Sequence, residues 1–196
     1  MNIKKEAKSL VLVVILIILL LIVVNSCKSD DGWNKLTIHE GNHYYTGQRV
    51  LDVENNNTEM NYRVLFDSSC VYDKLVDGCE GDWNKLFGFT LSSVNPHVNS
   101  MRFVWKTMDG QLKLGDYSYI DGVISKNHFI IDIYPNVQYN LQIWAKNGRF
   151  YYIVNGEVLW NEKHNVRDYK YSNVLYPYFG GDCKAPKDIN ISFKKF

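Results

Sequence analysis

The sequence lacks a net excess of charge of either sign. Lys and Arg number 22 against 21 Asp and Glu, which gives a formal net charge of +1. Proteins that bind nucleic acids through their phosphates carry a basic patch or stripe, and no extended stretch of this chain is rich in Lys and Arg. Nucleic-acid binding is therefore not expected.

Cysteine is also scarce, with four residues in 196, and no pair has the CxxC spacing typical of zinc sites. The five histidines are scattered in the same way, so neither a metal nor another cofactor is predicted. Cys70 and Cys79 are close enough in sequence to form a disulfide that closes a small loop. Cys183 would then remain a free thiol, buried as a small hydrophobic side chain.

Long apolar stretches at helical spacing are missing after residue 26. In their place are short runs of β-branched and aromatic residues separated by turn signals, a pattern typical of strands. Asp109-Gly110, Asn147-Gly148 and Asn155-Gly156 predict two-residue hairpin turns. The predicted strands cover residues 44–51, 60–66, 84–92, 100–107, 111–119, 128–134, 138–146, 149–154, 157–161, 173–179 and 188–195.

The one long hydrophobic run lies near the N-terminus, from Leu10 to Val24, and three lysines precede it. Its fifteen residues match the apolar part of an export signal and fall short of the roughly 20 that cross a bilayer as a helix. We therefore expect a cleaved signal peptide over residues 1–26. A retained membrane helix is the alternative.

The residues after this run, Val24-Asn25-Ser26-Cys27, resemble the lipobox of bacterial lipoproteins. The resemblance implies that Cys27 is lipidated and that its acyl chains anchor the protein to a membrane of the bacterial cell envelope, because several chains together bind a bilayer firmly. Lys28-Ser29-Asp30-Asp31 resembles the tract of surface-exported lipoproteins of Bacteroidetes-type bacteria, which implies surface exposure. An ordinary solvated tether has the same composition.

The remaining chain divides into a polar tether, residues 27–42, and one folded domain, residues 43–196. Residues 1–26 hold three of the 22 basic and one of the 21 acidic residues, so the rest carries a net charge of about −1. A domain of this length can bury a sizeable core.

Eleven short strands without intervening helices predict an all-β fold, a two-sheet antiparallel β-sandwich. The segments NSMRFVWKTMDGQLKLGDYSYIDG, RFYYIVNGEVLW and LYPYFGGDCKAPKDINISF resemble the concanavalin A-like jelly rolls related to laminin G domains. The resemblance covers about 110 residues from Trp83 onward. It implies the fold, while function must be argued from a site.

Residues two apart in a strand share a face, so each central strand has an apolar face and a second face that mixes aromatic and polar side chains. If four of these strands share one sheet, nine side chains form a candidate glycan site, since flat rings among hydrogen-bonding groups suit a sugar. The nine are Arg102, Lys106, Lys113, Tyr117, Tyr119, His128, Asp132, Gln142 and Trp144. The ordinary wet face of an antiparallel sheet has the same composition.

No strand carries the paired carboxylates that glycoside hydrolysis requires. A lyase needs a neutral base beside a cation, and His128 with Tyr134, Arg102 and Lys106 would supply these parts. A calcium site using Asp182 or Asp188, which follow the glycine-rich corner, is an open alternative that no ligand spacing supports.

The sequence thus favours a non-catalytic, membrane-anchored carbohydrate-binding protein. A polysaccharide lyase and a structural or adhesive envelope protein without a small ligand are the alternatives.

Overall fold

The computed structural model describes residues 32–54, 58–72, 82–91, 93–166 and 171–196. The chain divides into two units, Met1–Gly32 and Trp33–Phe196. The predicted signal, Cys27 and Cys79 lie outside the described residues. In the ranges that are described, no helix has the length and apolarity needed to cross a membrane.

Trp33–Phe196 is an all-β sandwich of two antiparallel sheets. The seven-stranded sheet has the order β10-β9-β8-β3-β12-β1-β2, and the five-stranded sheet has the order β11-β4-β5-β6-β7. The strands are β1 Asn34–Ile38, β2 Tyr45–Thr46, β3 Glu59–Phe66, β4 Asn84–Thr90, β5 Ser100–Met108, β6 Gln111–Ile120, β7 Val123–Ile133, β8 Gln138–Lys146, β9 Arg149–Val154, β10 Glu157–Lys163, β11 Val174–Leu175 and β12 Ile189–Lys195; a 3₁₀ turn spans Ser68–Cys70.

The three predicted hairpin turns are confirmed. Asp109-Gly110, Asn147-Gly148 and Asn155-Gly156 each have positive φ at both residues, between 51° and 87°. Asp121-Gly122 forms a fourth turn of this kind, with φ of 51° and 82°. These turns fix the β5–β6, β8–β9, β9–β10 and β6–β7 connections, because the twist of such turns matches that of the strands they join.

The predicted tether, residues 27–42, is wrong in its second half. Residues Asn34–Ile38 form β1, which pairs with β12 on one side and β2 on the other. Leu36 and Ile38 are each 2% exposed. The short segment reads as polar because only these two alternate residues face the core.

Aromatic rings from both sheets meet in the core. Phe87 of the five-stranded sheet contacts Tyr62 and Phe193 of the other sheet, with centroids 5.7 and 6.2 Å apart. Trp105 contacts Phe66 edge-on at 5.8 Å. All five rings are at most 1% exposed. Their burial drives the two sheets together, since apolar area removed from water is the main stabilising term.

The predicted Cys70–Cys79 disulfide is wrong, because Cys70 is a free thiol. Cys70 is fully buried at the end of the 3₁₀ turn, and its Sγ–H donates to the Asn190 carbonyl at 3.3 Å. Cys183, predicted to be free, is disulfide-bonded. Spacing along the chain favoured the wrong pair, because the fold draws the Cys70 side chain inward against β12.

Candidate functional site

The outer face of the five-stranded sheet carries a row of side chains that crosses four strands. Gly88 of β4 pairs with Arg102 of β5, Arg102 with Tyr117 of β6, and Tyr117 with Lys126 of β7. We call these four residues the Arg102 row. Since neighbouring strands lie about 4.8 Å apart, the row is roughly 14 Å long.

The core lies on the other side of this sheet. Met101, Phe103 and Trp105 are fully buried and alternate with Arg102 along β5. In β6, Leu112 and Leu114 are fully buried and lie on the same core side of the sheet. The alternation predicted from the sequence is thus confirmed for these two strands. It places Arg102 and Tyr117 on the outer face.

Gly88 lets β4 approach β5 closely beside Arg102. A Cβ added at Gly88 would lie 2.0 Å from the Met101 carbonyl oxygen and 2.6 Å from the Arg102 Cβ. Both distances are far below van der Waals contact, so β4 and β5 can adopt this spacing only with glycine at position 88.

Three cations surround the ring of Tyr117. The Lys85 Nζ, the Arg102 Cζ and the Lys126 Nζ lie 5.8, 5.8 and 5.7 Å from its centroid. Each distance is within the range of cation–π attraction. The electron-rich ring therefore partly offsets the mutual repulsion of the three cations.

Burial, and after it the neighbouring Tyr119, raises the pKa of Tyr117 to about 12. The phenol is therefore neutral at physiological pH, able to donate a hydrogen bond or stack and unsuited to act as a base. Burial, and after it the Arg102 charge, lowers the pKa of Lys85. Its ammonium is partly satisfied by donation to the Gly180 carbonyl at 2.9 Å.

Trp83 and Lys106 border the row on one side. Trp83 is 4% exposed and lies over Gly115, where an added Cβ would be 3.3 Å from its ring. The Lys106 Nζ lies 4.8 Å from the Trp83 ring centroid. On the other side, the His97 ring tilts against Tyr119 with centroids 5.0 Å apart.

The sequence interpretation missed Gly88, Lys85, Lys126 and His97. Lys126 was missed because β7 begins at Val123, five residues before the predicted strand. Lys85 and Gly88 lie within a predicted strand, but sequence alone does not show that β4 pairs with β5. His97 lies in a connecting segment, where no periodicity indicates its position.

Gln142 and Trp144 do not belong to this site. Their strand, β8, lies in the seven-stranded sheet, between β3 and β9. The Gln142 Nε2 and the Trp144 Nε1 both donate to the Asn61 Oδ1, at 3.0 and 2.9 Å. The prediction that all four strands share a sheet is therefore wrong for β8.

His128 is also separate from the Arg102 row, because β7 bulges between Lys126 and Ile130. The bulge turns His128 toward Asp116, whose carboxylate accepts from the His128 Nδ1 at 2.7 Å and from the backbone N–H of His128 and Phe129 at 2.8 and 3.1 Å. The His128 ring stacks on Trp160 of the seven-stranded sheet, with centroids 4.3 Å apart. It therefore links the edges of the two sheets.

Lys113 and Asp132 share the outer face with the row but form an ion pair with each other. Tyr134 follows the end of β7 and is 55% exposed. The combination of His128 with Tyr134, Arg102 and Lys106 predicted for a lyase is thus not assembled.

Calcium ligation gains no support at the glycine-rich corner. The Asp188 carboxylate accepts from the Glu40 backbone N–H at 2.8 Å and lies 3.1 Å from the His39 Nδ1. In the described ranges, no group of three or more His, Cys, Asp or Glu side chains is arranged to hold a metal ion.

A scan against protein-family models and a search of curated proteins found no match to this chain. Among solved structures, the marine PL7 alginate lyase AlyA1 from Zobellia galactanivorans matches with a TM-score of 0.54 and 15% identity, over 85% of this chain and 79% of that chain. A functionally unknown protein from Saccharomyces cerevisiae matches with a TM-score of 0.51 and 10% identity, over 83% of this chain and 85% of that chain. These similarities show a shared sandwich fold.

Proposed function

We propose that this protein binds a glycan on the outer face of its five-stranded sheet, along the Arg102 row. The observation that carries the proposal is the convergence of partly exposed rings, Tyr117 and Tyr119, with the hydrogen-bonding groups of Arg102 and Lys126 on one face. A sugar offers apolar faces that stack on rings and hydroxyls that need polar partners. The alginate lyase of similar fold acts on a polysaccharide, which is in keeping with a glycan ligand.

The test is retention on a broad array of neutral and acidic glycans, with Tyr119→Ala as the site variant. Trp144→Ala is the matched control, because Trp144 is also an aromatic residue on an outer face but lies on the seven-stranded sheet. We expect Tyr119→Ala to weaken retention about tenfold, since one stacked ring contributes on the order of 1 kcal/mol. Undiminished retention by Tyr119→Ala, or no retention of the unmodified protein on any glycan, contradicts the proposal.

Binding without catalysis is favoured by the state of Tyr117. Elimination from a polysaccharide needs a base whose pKa lies near the working pH, and the pKa of this phenol is raised to about 12. The lyase alternative retains one observation in its favour, since His97, Tyr119, Tyr117 and Arg102 lie near one another. Incubation with uronate polymers separates the two functions, because a lyase generates an unsaturated product that absorbs in the ultraviolet.

An adhesive function without a small ligand is favoured by a different observation. Three apolar side chains on or beside the outer edge of β7, Val123, Ile124 and Ile130, are 68%, 47% and 48% exposed. An open edge strand with apolar side chains promotes pairing with another chain. Analytical ultracentrifugation tests this alternative, since a protein that stays monomeric at high concentration does not self-associate through β7.

We also propose that a lipid on Cys27 anchors the protein to the outside of a bacterial membrane. The support is the hydrophobic run followed by the lipobox-like Val24-Asn25-Ser26-Cys27. Metabolic labelling with a clickable fatty acid should label the intact chain and leave Cys27→Ala unlabelled. Label on Cys27→Ala would contradict lipidation at this residue.

A further inference from the structure

Arg102 is a buried cation, and two of its three guanidinium nitrogens find no hydrogen-bond partner among the described residues. The residue is 9% exposed, and neither its Nε nor its Nη2 has a hydrogen-bond partner in the described part of the chain. Buried polar groups in native proteins are nearly always hydrogen-bonded, because leaving one unpaired costs free energy. Two unpaired guanidinium nitrogens in the middle of an outer sheet face therefore need an explanation.

The positive charges around Arg102 increase the need for an anionic partner. Lys85 and Lys126 lie around the same Tyr117 ring as Arg102, and Lys106 borders the row beside Trp83. Across the described ranges, none of these four cations forms an ion pair with a carboxylate. Asp82 is the acidic residue that interacts electrostatically with both Lys85 and Lys106.

The Asp82 carboxylate is already engaged by the backbone. Its Oδ2 accepts from the N–H groups of Gly181 and Asp182 at 2.8 and 2.9 Å. It therefore fixes the glycine-rich corner, and in the described residues it is not a hydrogen-bond partner of the Arg102 Nε or Nη2. The contact of Arg102 with Tyr117 supplies attraction for its charge, but a ring face does not accept the in-plane N–H groups at Nε and Nη2.

Two donors of Arg102, Nε and Nη2, form a receptor that is closed to solvent in this structure. An anion reaches them as the neighbouring side chains move aside. Nε and one Nη lie on the same edge of a guanidinium and direct parallel N–H bonds to two oxygens, as in bidentate pairs with carboxylate and related anions. Resting on the proposed glycan function, we infer that the site takes an acidic sugar whose carboxylate or sulfate group is bound by the Nε–Nη2 edge of Arg102. Lys85 and Lys126 surround this anion, and Tyr117 and Tyr119 contact the sugar ring.

The experiment compares ligands that differ only in charge. Polygalacturonate is paired with its methyl ester, and dextran sulfate with dextran, so that each pair isolates one kind of anionic group. Binding is measured by titration calorimetry at several salt concentrations for the unmodified protein, Arg102→Met and Arg102→Lys. Arg63→Met is the matched control, because Arg63 lies on the seven-stranded sheet with its guanidinium over Phe196 at 5.5 Å.

We expect an acidic ligand to bind on the order of 10–100-fold more tightly than its uncharged counterpart, since charge-assisted bidentate hydrogen bonds are among the strong ones. Arg102→Met should remove this preference, Arg102→Lys should retain part of it, and Arg63→Met should leave it intact. Arg102→Met should fold at least as stably as the unmodified protein, because it removes an unpaired buried charge. Comparing the polygalacturonate pair with the dextran pair shows whether the site prefers a carboxylate or a sulfate.

A second measurement separates this inference from the proposed function. Thermal unfolding in sodium sulfate and in sodium chloride at matched ionic strength probes the Arg102 receptor without any sugar. Because sulfate also stabilises proteins generally, the informative quantity is the difference in sulfate-induced stabilisation between the unmodified protein and Arg102→Met. Sulfate stabilisation that depends on Arg102, without retention of any glycan, supports the anion receptor and overturns the glycan function. If charged and uncharged glycans bind equally and Arg102→Met does not change this, the ligand is not selected for its acidic group. That result overturns the present inference and keeps the proposed glycan function. Failure of both measurements overturns both.

Discussion

At the scale of single residues, Gly88 shows how closely strand spacing and the site are linked. The position has an ordinary strand conformation, so the requirement for glycine comes from space alone. Because an added Cβ would meet backbone atoms of β5, the neighbouring strand would have to shift.

Replacing Gly88 with alanine should therefore destabilise the protein by about 2–3 kcal/mol, the upper part of the range for overpacking. Urea unfolding followed by tryptophan fluorescence measures the change. Gly115→Ala is the graded control, because its Cβ would meet the Phe129 carbonyl oxygen at 3.2 Å and a Trp83 ring atom at 3.3 Å. An effect of Gly88→Ala no larger than that of Gly115→Ala would show that β4 and β5 can separate easily.

His164 makes stability depend on pH. The residue is 6% exposed and packs against Phe150 with ring centroids 4.6 Å apart. Burial lowers the pKa of its imidazole below the usual value of 6.5, although Asp121 acts in the opposite direction. Between the native pKa and 6.5 the unfolded chain binds more protons than the native protein, so stability falls as the pH is lowered through this window.

The stability lost between pH 7 and pH 5 should accordingly be smaller for His164→Gln than for the unmodified protein. The other histidines contribute equally to both proteins and cancel in the comparison. His39→Gln is the control, since the His39 side chain is 51% exposed. The same loss in His164→Gln and in the unmodified protein would refute a depressed pKa at this residue.

At the scale of elements, the bulge in β7 depends on Asp116. This fully buried carboxylate accepts two backbone N–H groups of the bulge and the His128 Nδ1. Without it, those donors would point into the buried space that the carboxylate occupies and would lose their acceptor. The bulge is therefore held by one side chain, in place of the ladder bonds that it interrupts.

We expect Asp116→Ala to cost about 2–4 kcal/mol, because each unsatisfied buried donor costs about 1–3 kcal/mol. Hydrogen exchange should show the amides of His128 and Phe129 losing protection first. Asp132→Ala is the matched control from the adjoining strand, because its ion pair with Lys113 is partly exposed and such pairs contribute about 0–1 kcal/mol. Similar costs for the two variants would mean that Asp116 does not support the bulge.

Local signals account for the elements that the sequence predicted well. Asp-Gly and Asn-Gly dictate their own backbone conformation, so three hairpins and the strands beside them were predicted closely. β1 was missed because five residues with two apolar positions carry little periodicity, and its place depends on pairing with β12, about 150 residues away. Non-local pairing of this kind leaves no mark in a short window of sequence.

The candidate site was likewise predicted only where local sequence patterns determine the structure. Alternation within a strand placed Arg102, Tyr117 and Tyr119 correctly on one face. Which strands share a sheet is a property of the topology, so Gln142 and Trp144 were assigned to a face they do not occupy. The bulge also turned the His128 side chain away from the outer face on which it was expected. Strand periodicity does not predict an irregularity of one or two residues.

At the scale of the whole molecule, Cys70 reports on global unfolding. Its thiol is fully buried, and burial, followed by the Asp67 charge, raises its pKa. Both effects suppress attack by thiol reagents, which requires an accessible thiolate. Because Cys70 packs against β12 in the middle of the seven-stranded sheet, exposing it requires the sandwich to open.

Alkylation of Cys70 should therefore follow the global unfolding equilibrium, with little labelling in buffer and full labelling above the urea midpoint. Mass spectrometry of the peptide containing Cys70 measures the rate. Leu36→Ala, which removes a core side chain of β1 next to β12, should raise the labelling rate in proportion to the stability it loses. Rapid labelling of the native unmodified protein would show that this part of the sheet opens locally.

The position of the Arg102 row within the sheet bears on the size of ligand that suits it. The row runs from β4 to Lys126 on β7, which is an edge strand, and Lys126 is exposed. A polymer lying across the strands is therefore not stopped at that end and need not present a terminus. The affinity should rise steeply with oligomer length until the oligomer spans the row of about 14 Å. On longer chains every added repeat unit offers one more equivalent binding register, so the apparent affinity per chain should then grow only in proportion to chain length.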